Sequence, residues 1–135
     1  MRNIKLVSKV EPYVMKSYPV KKVSDVIARM KAGKKVSIIC TGDSITAGTS
    51  VKDADLNRYG VKLQNKLRKA FNNNNINVET VAVGGARTFD LRVWAERDFG
   101  GKKPDLVTVM IGYNDKSSQS SPDYYYGSLS RAVDR

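Results

Sequence analysis

The residues best suited to chemistry in this chain are a serine, a glycine and an asparagine, each within a small polar cluster that follows an apolar run. The clusters are Thr41-Gly42-Asp43-Ser44, Gly84-Gly85-Ala86 and Gly112-Tyr113-Asn114-Asp115. A serine hydroxyl can act as a nucleophile, while backbone N–H groups and an asparagine amide can donate hydrogen bonds to an oxyanion. Together they indicate acyl transfer through a tetrahedral intermediate, with Ser44 as nucleophile and the Ser44 N–H, the Gly85 N–H and the Asn114 amide as donors.

The apolar runs that precede the clusters predict three buried strands of a parallel sheet. The runs are Val36–Cys40, Val78–Val83 and Leu106–Ile111, and the sequence between them predicts helices over Tyr59–Phe71 and 88–99. In open α/β sheets, ligands bind beyond the carboxyl ends of the strands, which is where all three clusters fall. Each cluster alone is often only a turn, but their order on successive strands favours a common site.

Two further helices are predicted outside this unit. Ser24 is the expected N-cap of the first, and Gly33 is its stop signal. Pro122 suits the first turn of the second, after a loop over 117–121. Its inner stripe is expected to be Tyr125, Leu129, Ala132 and Val133. No stop signal precedes Arg135, so the chain is expected to end within this helix.

The unusual feature of the composition is a formal net charge of +11. Such a charge is compatible with an anionic partner, but the lysines are scattered along the sequence, which favours a solvated basic surface. The sole cysteine, Cys40, lies in an apolar run, so a buried and inert thiol is expected. Residues 1–20 carry charges throughout, and no stretch has the character of a signal peptide or a membrane span. The default expectation is therefore a cytoplasmic location.

The three clusters in this order resemble the sequence blocks of the SGNH hydrolases, also called the GDSL esterase/lipase family. Gly42-Asp43-Ser44-Ile45-Thr46-Ala47-Gly48 resembles the first block, whose serine is the nucleophile. Gly85 matches the second-block glycine, and Gly112-Tyr113-Asn114-Asp115 matches the third block, whose asparagine completes the oxyanion hole. The position two after Ser44 is Thr46, so the Gly-x-Ser-x-Gly elbow of the α/β-hydrolases is not present.

The resemblance covers residues 34–135 and implies a flavodoxin-like α/β/α sandwich with a parallel sheet. It also implies hydrolysis of esters, including acyl and acetyl groups on lipids and carbohydrates, without a metal or organic cofactor. Residues 1–33 are then expected to form an N-terminal extension with a short helix, and residues 34–135 a partial hydrolase domain. The residues expected to support the site are Gly42, Asp43, Gly112 and Asp115, the two aspartates by accepting hydrogen bonds from backbone amides.

The family's last block, Asp-x-x-His, has no counterpart here, because the sequence contains no histidine. A serine hydroxyl is a weak nucleophile until a base takes its proton, so the chain alone is expected to have little or no activity. One interpretation is that these residues are the N-terminal part of a longer enzyme. Another is a complete but inactive protein kept for binding or assembly. A third interpretation is that a different residue acts as the base, although Lys116 would need strong desolvation to do so.

Two functions of other classes stay open from the sequence. The segment 41–50 is rich in hydroxyls and glycines, as phosphate- or flavin-binding loops are, but Asp43 would place negative charge beside a phosphate and no Walker sequence is present. A nucleic-acid binder would depend on the charge, with Tyr124-Tyr125-Tyr126 stacking on bases, and packing of the last helix is the preferred interpretation. The favoured partners are a small-molecule, glycan or lipid ester and, for assembly, the missing C-terminal part or a larger complex.

Overall fold

Three parallel strands form the sheet that the sequence predicts. The computed structural model describes residues 22–133, in which the strands are β1 (Val36–Gly42), β2 (Ile76–Ala82) and β3 (Leu106–Met110). Their order is β2-β1-β3, so the first strand of the chain lies in the centre. Ile38 pairs with Val78 on one side and with Leu106 on the other. Because β1 is covered on both faces, its nearly continuous apolar sequence is the type expected of a central parallel strand.

Seven helices accompany this sheet in the described part of the chain. They are α1 (Val23–Lys31), α2 (Ser44–Ala47), α3 (Ala54–Asn57), α4 (Tyr59–Phe71), α5 (Thr88–Phe99), α6 (Tyr113–Ser117) and α7 (Pro122–Val133). The bounds of α4 and α5 are those that the sequence predicts. The short helices α3 and α6 were not predicted, because four or five residues carry too little periodicity to be distinguished from turns.

One face of the sheet packs against α1 and α4. The cluster in its centre consists of Val26 and Met30 from α1, with Val36, Ile38 and Ile76 from the strands. Leu67 and Phe71 of α4 pack against this cluster. Since side chains alternate across a strand, every second residue of β1 contributes to this face. Cys40 belongs to the same alternation and is fully buried, as predicted.

The opposite face of the sheet packs against α5. A small cavity of about 10 Å³ remains there between Thr41 and Val81 of the sheet and Leu91 and Trp94 of the helix. Helix α7 packs on α5, where the rings of Phe89 and Tyr124 stack with 6.5 Å between their centroids. The result is the flavodoxin-like three-layer α/β/α arrangement that the sequence resemblance implies.

Two details of the helices differ from the sequence prediction. Helix α1 begins at Val23, so Ser24 lies inside its first turn and Lys22 takes the N-cap position. The physical reason is that the Asp25 carboxylate accepts the Lys22 backbone N–H at 3.2 Å, which starts the helix two residues earlier than a Ser24 cap would. In α7, Val133 is 68% exposed and does not belong to the inner stripe.

Most of the predicted N-terminal extension, and the end of the last helix at Arg135, lie outside the described residues. Helix α1 shares its core with the sheet, and the predicted division between residues 1–33 and 34–135 stays a prediction. Among residues 22–133, no helix is both long enough and apolar enough to cross a membrane.

A buried asparagine ties the turn after α4 to the loop before β1. Asn73 donates its side-chain amide to the backbone oxygens of Met30 and Lys34, at 3.1 and 3.0 Å. Its side-chain oxygen accepts the Asn75 N–H at 2.9 Å. These bonds satisfy the amide of a side chain that is 3% exposed, so they fix the amino ends of β1 and β2 next to each other.

Candidate active site

The three polar clusters begin side by side at the carboxyl edge of the sheet. Gly42, the last residue of β1, pairs in register with Ala82 of β2 and with Met110 of β3. Each cluster starts within two residues of this row. The parallel register therefore brings the three loops together, as the order of the clusters along the chain predicts.

Ser44 is the first residue of α2 and is half-buried. Asp43 immediately before it is the N-cap, and its Oδ1 accepts the Ile45 N–H at 2.9 Å. The Asp43 side chain is 1% exposed, so this hydrogen bond is formed out of water. The aspartate thus holds the turn on which the serine is presented, by the type of bond expected of it.

Gly42 allows the turn to leave the sheet this sharply. A Cβ atom at this position would collide with the backbone oxygen of Met110 and with the Oγ1 of Thr46. Thr46 is fully buried, and its hydroxyl has no hydrogen-bond partner among the described residues. The first cluster therefore needs glycine where β1 ends for steric reasons, independently of any chemistry.

The second cluster lies open beside the serine. Gly85 has φ of 78° and no heavy atom within 4 Å of the place where a Cβ would be, so its backbone is freely approached. A left-handed φ of this kind is favourable for glycine and costly for other residues. Gly84 is the nearer of the two to the nucleophile, since a Cβ there would lie 3.9 Å from the Ser44 Cβ.

Asn114 connects the three clusters. Its Nδ2 donates to the backbone oxygen of Ala86 at 3.0 Å and makes a longer contact of 3.4 Å with the Asp43 Oδ2. The amide therefore lies one residue away from Ser44 along the first loop. Both of its hydrogens face protein acceptors, and the long contact with Asp43 is the weaker of the two. An oxyanion near Ser44 would have to replace that weaker contact.

Asp115 stabilises the third cluster from its buried side. Its carboxylate is 2% exposed and accepts the Thr88 N–H at 3.1 and 3.2 Å and the Thr88 hydroxyl at 2.6 Å. Thr88 is the first residue of α5, so the aspartate satisfies an amide that has no partner within that helix. The expected role of Asp115 in holding a loop through a backbone amide is met here, with a helix start as its partner.

A groove opens between the third cluster and the start of α7. Gly112 has φ of 122°, and a Cβ there would approach the Tyr125 ring to 3.2 Å. The groove has a volume of about 420 Å³ and is lined by Gly112, Asp115, Lys116, Ser120, Pro122 and Tyr125. The groove is open to solvent. It lies next to Asn114, because Asp115 and Lys116, which follow Asn114 in α6, line it.

Exposed aromatic rings surround this edge of the sheet. They are Tyr59, Phe89, Tyr113, Tyr124 and Tyr126, and each lies at or near the start of α4, α5, α6 or α7. Tyr113, directly before Asn114, is 67% exposed. Tyr59 is less free, because its hydroxyl donates to the Thr108 Oγ1 at 3.0 Å. Partial burial raises the pKa of its hydroxyl.

Sequence reasoning included Ala86 in the second cluster without giving it a role, and it did not find Thr88 or Tyr125 as parts of this site. Thr88 is a hydroxyl residue at a helix start, a position where polar side chains commonly make capping bonds, and that signal was present. Ala86 takes part through its backbone oxygen, which leaves no trace in residue type. Tyr125 takes part through its ring, but the place of that ring beside Gly112 depends on how the start of α7 packs.

A parallel three-layer fold with polar loops at the carboxyl edge of the sheet defines a flavodoxin-like α/β protein with one candidate catalytic face. The chain belongs to the GDSL-like Lipase/Acylhydrolase family, whose sequence model matches residues 40–135. No relative was found among the curated proteins.

Solved structures of SGNH esterases resemble the fold. AlinE4, an SGNH-hydrolase family esterase, is 26% identical with a TM-score of 0.65, over 74% of this chain and 52% of its own. A two-domain esterase active on acetylated mannans is 27% identical with a TM-score of 0.67, over 82% of this chain and 29% of its own. A variant of Axe2, an acetyl xylan esterase from Geobacillus stearothermophilus, is 25% identical with a TM-score of 0.62, over 73% and 53%. The chain thus spans about half the length of AlinE4 and of the Axe2 variant, and less than a third of the two-domain esterase.

Proposed function

We propose that this chain carries the nucleophile and the oxyanion hole of a serine esterase that removes acyl groups, most simply acetyl groups, from carbohydrate esters. The observation that carries the proposal is the Asn114 amide within 3.4 Å of Asp43, the residue before Ser44. This contact brings a side-chain donor from the third strand next to a nucleophile on the first. Gly85 supplies a second loop whose backbone a substrate oxygen can approach.

In the proposed reaction, the Ser44 Oγ attacks the ester carbonyl carbon and the carbonyl oxygen becomes an oxyanion. The Ser44 N–H, the Gly85 N–H and the Asn114 Nδ2 donate hydrogen bonds to that oxygen. The serine proton passes to a base and then to the departing alcohol oxygen, which leaves an acyl-serine. Water, deprotonated by the same base, attacks the acyl-serine and releases the acid.

The base in this scheme is a histidine supplied from outside these 135 residues, because the sequence contains none. The outer edge of β3 is a surface on which such an additional polypeptide can pack. No described strand pairs with the outer side of β3, and Val109 and Met110 at its end are each 41% exposed. An edge strand with apolar side chains is a surface on which further chain readily packs.

A carbohydrate ester is favoured over a lipid ester by the surroundings of the site. Tyr113 and the other exposed rings of the carboxyl edge are mostly tyrosines, which combine an apolar face with a hydroxyl. Flat rings of this kind suit the faces of sugar rings. Two of the similar structures are esterases of acetylated polysaccharides, a mannan esterase and an acetyl xylan esterase.

The second candidate function is a binding module without catalysis, favoured by the absence of histidine. In that case the aromatic edge would bind acetylated glycan and Ser44 would have no special reactivity. The phosphate- or flavin-binding alternative is disfavoured, because the Asp43 carboxylate is buried where the phosphate would lie.

Chemical rescue tests the proposal. Hydrolysis of p-nitrophenyl acetate is measured with the chain and with Ser44→Ala, at increasing concentrations of imidazole as a substitute base. We expect no difference between the two proteins without imidazole, and with imidazole an additional rate that depends on Ser44 and saturates with ester. Equal rates at every imidazole concentration, together with binding of acetylated manno-oligosaccharides, would instead identify an inactive binding module.

A further inference from the structure

Among residues 22–133, much of the excess positive charge lies at the amino edge of the sheet, opposite the candidate site. We define the amino edge by two loops of the same sequence, Gly33-Lys34-Lys35 before β1 and Gly101-Lys102-Lys103 before β3, together with Lys31 and Lys69 at the ends of α1 and α4. All six lysines are exposed. The lysines are scattered along the sequence, but the fold places these six at one edge of the sheet.

The two Gly-Lys-Lys loops lie next to each other because β1 and β3 are adjacent parallel strands. The Asp105 N–H donates to the Ser37 oxygen at 2.8 Å, and the Ser37 N–H donates to the Asp105 Oδ2 at 2.9 Å. The lysine pairs lie directly upstream of these two residues. Both loops also begin in the same way, with Gly33 at φ of 69° and Gly101 at φ of 75°.

Few acidic groups oppose this charge. Asp105 is mostly buried and is paired with Arg29 at 3.7 Å, while Glu79 pairs with Lys102 at 2.6 Å. Glu96 is exposed at the end of α5. Lys31 and Lys69 lie in the last turns of their helices, where a cation also stabilises the helix. That explanation does not extend to the lysines of the two loops.

The carboxyl edge has the opposite character. In the part of that edge that the structure describes, the acidic residues Asp43, Asp53, Asp55, Asp90, Asp115 and Asp123 outnumber the basic residues Lys52, Arg58, Lys62, Arg87 and Lys116. The five exposed aromatic rings also lie at that edge, and the described part of the amino edge has none. A polyanion is therefore attracted to the face that points away from Ser44.

We propose that the amino edge binds an acidic polysaccharide and so holds the protein on an anionic polymer with Ser44 directed outward. The choice of a polysaccharide rests on the proposed function. It is also favoured by the side chains, since single-stranded nucleic acids need accessible aromatic rings for stacking, and none of the exposed rings among residues 22–133 lies at this edge. Lysines without free arginines suit diffuse charge contacts better than bidentate phosphate recognition. The nearby Arg29 and Arg68 already donate to the backbone oxygens of Lys35 and Ile76, each at 2.7 Å.

Binding of the full chain to labelled polygalacturonate tests this proposal. The probe is compared with neutral dextran of the same length, a DNA duplex and phosphatidylserine vesicles. We expect the tightest binding to polygalacturonate, none to dextran, and an affinity that falls steeply as salt rises from about 50 mM. Tighter binding to DNA or vesicles, or affinity that salt does not change, would overturn it.

Two sets of substitutions locate the contact. The triple variant Lys34→Gln, Lys35→Gln, Lys103→Gln is expected to weaken binding about tenfold or more at low salt. The control variant Lys52→Gln, Lys62→Gln, Lys116→Gln removes the same charge from the carboxyl edge and is expected to bind nearly as the parent does. Equal weakening by both variants would show that net charge, and not the amino edge, is responsible. Ser44→Ala is expected to bind unchanged, so this result is independent of ester hydrolysis.

Lys103→Gly separates binding from stability. Lys103 has φ of 44°, a left-handed conformation that is unfavourable for a side chain with a Cβ. The glycine variant is therefore expected to unfold at the same or a higher urea concentration while its affinity for polygalacturonate falls. Unchanged affinity in a folded Lys103→Gly protein would contradict the placement of the polymer on this loop.

Discussion

The Asn114 Nδ2 lies 3.4 Å from the Asp43 Oδ2, and through this contact a residue that follows β3 reaches the loop that carries Ser44. The two residues are 71 positions apart in the sequence. A second bond from the same amide, to the Ala86 oxygen, adds the loop that follows β2. One side chain therefore fixes the relative positions of all three loops, and the longer of its bonds is the one that a substrate oxyanion could displace.

Removing the Asn114 amide should affect transition-state binding more than folding. Asn114→Ala is expected to lower the imidazole-supported, Ser44-dependent rate by about 10²–10³-fold, the usual cost of one oxyanion donor. The saturation constant for the ester should change little. Asn65→Ala, at an exposed position of α4, is the matched control. A rate in Asn114→Ala equal to that of the parent would remove this side chain from the oxyanion hole.

Asp115 is expected to contribute to stability through the start of α5. Asp115→Asn replaces one acceptor oxygen by an amide donor that faces the Thr88 N–H and hydroxyl, at a site closed to water. The free energy of unfolding should fall by about 2 kcal/mol, within the range for hydrogen bonds to charged groups. Urea unfolding measures the loss. Asp123→Asn, exposed in the first turn of α7, serves for comparison and should change stability little.

Two neighbouring asparagines should respond very differently to truncation. Asn73→Ala leaves the Met30 and Lys34 backbone oxygens without their buried donor, and we expect a loss of about 2–3 kcal/mol. Asn74 is exposed in the same turn, and Asn74→Ala should be close to neutral. Thermal and urea unfolding of both variants provide the measurement. Similar losses in the two would mean that the turn, and not the buried amide, is the stabilising feature.

Two glycines should also respond in opposite directions. Gly42→Ala places a methyl group against the Met110 oxygen and the Thr46 hydroxyl, so a loss of about 1–3 kcal/mol from overpacking is expected. Gly127 lies within α7 with no atom near its missing Cβ, and Gly127→Ala should raise the free energy of unfolding by about 0.5–1 kcal/mol. An alanine tolerated at position 42 would show that the end of β1 can move aside.

The sequence allowed the fold to be predicted where patterns were long. The periodic segment Tyr59–Phe71 and the apolar strand from Val36 leave few alternatives, so their bounds agree with the structure to within a few residues. The predicted start of α1 was wrong. Ser24 is a favourable N-cap by residue type, but the hydrogen bond between the Lys22 N–H and the Asp25 carboxylate sets where the helix begins. Propensity is overridden there by a single hydrogen bond.

The residues of the candidate site could be predicted from the sequence, but the contacts between them could not. The parallel register follows from the strand pattern, so the meeting of Ser44, Gly85 and Asn114 at one edge could be expected. The bond from the Thr88 hydroxyl to the Asp115 carboxylate could not, because it joins residues 27 positions apart through the detailed packing of α5. The clustering of Lys34, Lys35 and Lys103 depends in the same way on which strands are adjacent.

The most direct test of the central claim is the acylation of Ser44 itself. The chain and its Ser44→Ala variant are treated with p-nitrophenyl acetate in the presence of imidazole, digested, and mapped by mass spectrometry. The proposed function predicts one acetyl group on the peptide that contains Ser44, absent from the variant, with lysine acetylation equal in both proteins. Acetylation confined to lysines, at the same level in the two proteins, would contradict the assignment of Ser44 as the nucleophile.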